Sequence, residues 1–147
     1  MNNKSVEILK KNVEDFLTSI EWLKRSYEKC KLIGLKPAYV PDELDQFEAL
    51  SSRYARTTDL LINKILRSID TVEFADGGSI LDVVNRAEQR GIIDSVSDIR
   101  DIKDLRNEIA HEYNTPDIQE LFKAVFNAAP KLLVIMERVV SYCAKYL

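Results

Sequence analysis

The residues that could do chemistry in this chain lie on one short stretch, LRNEIAHEYN, from Leu105 to Asn114, which holds the only histidine, His111. An imidazole is the side chain whose ordinary titration lies nearest neutral pH, so it can both take and give a proton. Arg106, five residues earlier, offers a planar, permanently charged fork that fits a phosphate or a carboxylate. Asn107 adds an amide and Tyr113 a phenol hydroxyl. The set supplies a proton carrier and an anion clamp. Each also has a plainer reading: a solvated histidine favoured by a helix C-terminus, and an arginine paired with an acidic residue of another helix.

Spacing decides whether these groups can meet. On a helical wheel stepped at about 100° per residue, Ile99, Ile102, Leu105 and Ile109 form the apolar arc, and Arg106 and Tyr113 fall within about 30° of its centre. An arginine there needs a carboxylate, a phosphate or water opposite it. His111 lies roughly 140° round from Arg106, on the ridge of Asn107. One straight helix therefore cannot easily bring both to one small group. Either the helix loosens at its end or a second surface completes the site, and a copy of the same chain across a two-fold axis would do so.

The elements that hold this stretch read as helices. Val6, Leu9, Val13, Phe16, Ile20, Leu23, Tyr27 and Cys30 alternate by three and four, predicting a long amphipathic helix stopped at Gly34. After Pro37 and Pro41 a second long helix is expected over 41–70, broken by Asp76-Gly77-Gly78. Ser79, with Asp82 three residues on, predicts the capped start of a short helix through Arg90, closed by Gly91. Asp94 or Ser95 caps the helix carrying the motif, which Thr115-Pro116 closes. A last helix runs from Ile118 to Tyr146, with Pro130 expected to kink it or end its first half. No β pattern, internal repeat or low-complexity segment appears. The expectation is a single domain over residues 1–147, an all-α antiparallel bundle of four to five helices.

Composition narrows the function. The chain has 147 residues, a net charge of −3 and a pI near 5.3, which argues against coating nucleic acid through bulk charge. Any RNA contact must be local. Cys30 and Cys143 lie on apolar stripes and read as buried thiols of a reducing compartment. No cysteine or histidine spacing suggests a zinc site, and no metal or cofactor is expected. The amphipathic N-terminus lacks the apolar core of a signal peptide, and no run reaches transmembrane length, so a cytoplasmic protein without membrane contact is expected.

Arg106-Asn107-x-x-x-His111-x-Tyr113 resembles the R-N-x-x-x-H-x-Y motif of HEPN-domain proteins, and specifically of HepT-type toxins, where R-x4-H-x-Y is characteristic. Four fixed positions coincide by chance in roughly one chain of this length in several thousand. SILDVVNRAEQRGIID, leading into the motif helix, also resembles that group, and so does the helical architecture with the motif late in the chain. The resemblance implies a homodimeric toxin that cleaves RNA without a metal, leaving a 2′,3′-cyclic phosphate and a 5′-hydroxyl. His111 would be the acid/base, Arg106 the phosphate clamp, and Asn107 would orient His111 or bond the phosphate. It further implies neutralisation by an MntA-type nucleotidyltransferase antitoxin that attaches AMP to Tyr113.

On the second helix Arg53, Arg56, Lys64 and Arg67 fall within an arc of roughly 80°, opposite Tyr54, Leu61, Ile65, Ile69 and Val72. The cations could track RNA phosphates or simply form a solvated face. Two other functional classes stand beside the nuclease. One is a non-catalytic, substrate-binding partner subunit of a minimal nucleotidyltransferase. The other is a helical interaction module in which Arg106 is structural.

Overall fold

The computed structural model describes residues 3–75, 77–111 and 118–147, and every described element is helical. Helix α1 (Asn3–Ile33) buries Leu9, Val13, Phe16, Ile20, Leu23 and Cys30, the stripe that its three-four alternation predicts. It stops where Gly34 takes φ +78° and donates its N–H to the Cys30 carbonyl at 2.9 Å. Helix α2 (Pro41–Leu60) begins with proline, whose missing N–H costs nothing in the first turn. Glu43 reaches back to the Val40 N–H at 3.0 Å.

The uninterrupted helix expected over 41–70 is not what forms. Leu61–Ile65 is a π-helical turn, followed by α3 (Leu66–Val72), so the rod is continuous but changes its hydrogen-bond register midway. The rod packs antiparallel to α1, as three contacts record in order: Asn12 with Ser68, Ser19 with Thr57, and Cys30 with the Gln46 carbonyl.

Helix α4 (Ile80–Gln89) carries the expected cap, with the Asp82 N–H on Ser79 Oγ at 3.3 Å and the Ser79 N–H on Asp82 Oδ2 at 2.9 Å. Gly91, at φ +77°, closes it while Ile92 bonds back to the Ala87 carbonyl at 3.1 Å. Helix α5 (Val96–His111) is capped by Ser95, whose Oγ accepts the Ser97 N–H at 3.0 Å. Asp94, the other candidate cap, pairs instead with Arg138 at 2.7 Å. Helix α6 (Ile118–Cys143) continues past Pro130 and ends in a 3₁₀ turn, Ala144–Tyr146. Pro130 therefore does not end the helix; its ring is exposed, and one missing N–H is tolerated because Leu132, Val125 and Ala129 anchor the turns around it. Asp76 and the Thr115-Pro116 closure lie outside the described residues.

The core is one cluster at the meeting of α1, α2 and α6, where Phe16, Phe47, Tyr54 and Phe122 are fully buried. Phe47 and Phe122 stack at 5.3 Å, and Tyr27 stacks on Phe126 at 4.8 Å. Cys30 and Cys143 are buried and free, and burial pushes both thiols up to about 11. At the far end of the rod Asp70, 1 % exposed, accepts from Arg86 at 2.9 Å and also pairs with Arg90. Arg90 bonds Glu73 at 2.8 Å, and Glu73 also receives the Tyr142 and Tyr146 hydroxyls. This network ties α3 to α4 and to the end of α6. Among the described residues, no helix is long and apolar enough to cross a membrane.

Candidate functional site

Arg106, Asn107 and His111 of the motif sit on the last two turns of α5, which remains α-helical through His111. Ile99, Ile102 and Ile109 bury one face of this helix, and that burial fixes the directions of the others. Arg106 points toward α2. Its Nε donates to Asp59 Oδ1 at 2.8 Å and its Nη2 to Asp59 Oδ2 at 2.9 Å, a two-pronged pair. An acidic partner from another helix is the arrangement the wheel leaves open, but the pair is not internal. The Arg106 side chain is 34 % exposed and that of Asp59 42 %. The hydrogen bonds to Asp59, and then its charge, hold the guanidinium above its ordinary range.

Asn107 and His111 are exposed on the other side of the helix. Among the described residues neither makes a hydrogen bond or ion pair, and neither meets Arg106. Because α5 does not loosen, the 140° separation persists, and a single chain does not assemble the arginine and histidine on one small group. His111 shares its ridge with Glu108 and Asp104, three and seven residues earlier. Those carboxylates and Asp101 line a cleft of 540 Å³ between α5 and α6, with Asn127 and Lys131 opposite. The histidine's own face is thus acidic, whereas the arginine's side adjoins the basic rod. Tyr113 lies outside the described residues.

The basic stripe on the rod is divided rather than continuous. Arg53 and Arg56 line one cleft with Trp22 and Thr18 of α1, and Lys64 and Arg67 line a second with Ile8 and Asn12. The π turn, Leu61–Ile65, follows the first pair and itself carries Lys64. Arg53 Nη1 donates to the Trp22 carbonyl at 3.3 Å and to Ser26 Oγ at 3.1 Å, and its guanidinium lies 4.6 Å from the Trp22 ring centroid. Sequence reasoning missed both Asp59 and Trp22. Asp59 carries no local signal, since its partner is 47 residues away. Trp22 was legible as an aromatic off the apolar stripe of α1, placed beside Leu23.

Among the described residues no group of three or more histidine, cysteine or carboxylate side chains is arranged to hold a metal ion. No protein-family model matches the chain, and no curated protein is similar to it in sequence. The fold is an all-α helical bundle that displays Arg106 on one side of α5 and His111 on another.

Proposed function

We propose that the protein is a metal-independent ribonuclease of the toxin type that acts as a homodimer. In this reading the ribose 2′-oxygen attacks the neighbouring phosphorus and the 5′-oxygen leaves. The products are a 2′,3′-cyclic phosphate and a 5′-hydroxyl. His111 takes the proton from the 2′-hydroxyl or gives one to the departing oxygen, and the second copy's imidazole supplies the other transfer. Arg106 neutralises charge building on the non-bridging oxygens, and Asn107 orients His111 or the phosphate. A partner nucleotidyltransferase silences the site when the Tyr113 hydroxyl displaces pyrophosphate from ATP and becomes an AMP phosphodiester.

The observation that carries this reading is the state of Arg106. It is preorganised by a carboxylate that offers two oxygens to its fork, as a phosphate can, yet the pair is part-exposed. Pairs of that kind stabilise by only about 0–1 kcal/mol, so a phosphate can take the place of Asp59 at little cost. The failure of Arg106 and His111 to converge within one chain supports the dimer. The test is cleavage of RNA by the purified chain in chelator. His111→Ala should lower the rate by two to four orders of magnitude while helical content is unchanged. Cutting by that variant at the wild-type rate overturns the assignment.

One observation favours a second reading, the non-catalytic partner subunit of a minimal nucleotidyltransferase. Carboxylates Asp104 and Glu108 flank His111 on its own face, where a polyanion is unwelcome. That reading requires the unmodified protein, alone, to leave RNA intact while it forms a stable complex with the nucleotidyltransferase.

A further inference from the structure

We infer that the seam between α1 and the α2–α3 rod is a track for single-stranded RNA, with Trp22 as its base-stacking station; the inference rests on the proposed ribonuclease reading for its substrate. Ser5, Ile8, Asn12, Asp15, Ser19 and Trp22 recur along α1 at helical spacing and face the rod in two clefts of 290 and 450 Å³. End to end the seam runs about 25 Å at 1.5 Å per residue. That length spans roughly seven nucleotides at a stacked spacing of 3.4 Å.

The rod's side of the seam is cationic and unneutralised. Among the described residues Arg53, Arg56, Lys64 and Arg67 form no ion pair with a carboxylate, whereas Arg86, Arg90, Arg106 and Arg138 all do. The one carboxylate lining either cleft among the described residues, Asp15, is offset by Lys11 at 3.1 Å. Trp22 is 48 % exposed and its ring is held in place by Arg53 beneath it. Arg25, exposed and 5.7 Å from the same ring, is free to yield its place to a base and turn to a phosphate. A basic groove with an accessible aromatic is the arrangement that binds single strands without reading sequence. The track also leads to the motif. Arg56 stands three residues before Asp59, on the adjacent ridge of α2, so a strand leaving the seam over Arg56 arrives at Arg106. The overall charge of −3 does not oppose this, because cations without a carboxylate partner are gathered along the seam.

Trp22 is the only tryptophan, so its emission reports on this seam alone. The probe is a 2′-O-methylated oligouridine of eight residues, which lacks the attacking hydroxyl and cannot be cut. It should quench Trp22 saturably, and a duplex of equal charge should do so much less. Trp22→Ala should weaken binding of the labelled oligomer roughly five- to hundred-fold, with Trp22→Phe restoring most of it. Arg56→Glu with Lys64→Glu should weaken binding and flatten its salt dependence. Binding without quenching, equal binding by Trp22→Ala, or an acidic peptide that quenches as strongly as the oligomer would overturn the inference, the last by assigning the seam to a protein partner. The two proposals fail separately. Quenching by the oligomer in a protein that cuts no RNA leaves the track and removes the nuclease. Unimpaired RNA cutting by the Arg56→Glu, Lys64→Glu protein does the reverse.

Discussion

Two carboxylates on the same rod receive arginines from other helices, and they differ in nearly every other respect. Asp70 is 1 % exposed and is shared by Arg86 and Arg90, while Glu73 beside it collects Arg90 and two tyrosine hydroxyls. Asp59 holds one arginine, Arg106, in a pair open to water on both sides. The first cluster is closed around Asp70, with each carboxylate shared among several donors, and losing a member leaves the others only partly reached by water. The second is a single exchangeable bond. An arginine meant to hold the fold is enclosed and multiply paired; one meant to meet a ligand is paired once, at the surface, with an acceptor the ligand can imitate.

The sharpest way to break that contrast is Asp70→Asn, which takes the shared buried counter-charge from Arg86 and Arg90 and leaves Arg90 with Glu73 alone. Unfolding free energy should fall by about 3 kcal/mol or more, read as a lower urea midpoint at unchanged slope. An unaltered midpoint would mean that the buried network is not what fastens α4. The next effect is a pH dependence. Burial works to raise the Glu73 pKa, but hydrogen bonds from Tyr146 and Tyr142 and the charge of Arg90 outweigh it and hold the carboxyl below the ordinary glutamate value of 4.5. A depressed folded value stabilises the native state above the unfolded value, and that stability is lost as pH falls through the folded one. Wild-type protein should therefore lose stability progressively below pH 4.5, and Glu73→Gln should flatten that segment of the curve.

The open pair should behave in the opposite sense. Asp59→Asn should change stability by no more than about 1 kcal/mol, yet raise affinity for a phosphate-bearing oligonucleotide by freeing Arg106. Filter binding measures this, and a fall in affinity would mean that Asp59 orients Arg106 rather than merely occupying it. Smallest of all is Arg138→Ala. Its partner Asp94 is 76 % exposed, so the urea midpoint should not move measurably.

How much of this was legible depended on whether the cause was local. The α1 stripe, the Ser79–Asp82 cap and the glycine stops at 34 and 91 depend on neighbours within a few residues, and each formed as its pattern predicts. The need of Arg106 for an acidic partner could be read from its place on the wheel, but not that the partner is Asp59, because register between helices is set by the whole bundle. The Asp70 cluster escaped for a related reason. On an uninterrupted helix Asp70 falls about 180° from buried Leu61, a solvent position. It is buried because α4 packs on α3 and covers that side. Tyr142 and Tyr146 read as core by spacing, yet their hydroxyls serve Glu73. The π turn left no mark in the apolar periodicity, and so the basic stripe appeared unbroken.

The closed cluster also has a history written into its sequence separations. Asp70 meets Arg86 and Arg90 from 16 and 20 positions away, so that half can close as soon as α4 has been made. Glu73 must wait for Tyr142 and Tyr146, 69 and 73 positions later. A growing chain thus passes through a long interval in which its middle helices are fastened while Glu73, partly buried, still lacks its hydroxyl donors. Closing the longer loop comes last and costs the most chain entropy. The bundle is sealed by its final helix, and a ribosome that stalls before Tyr142 releases a chain with that seal undone.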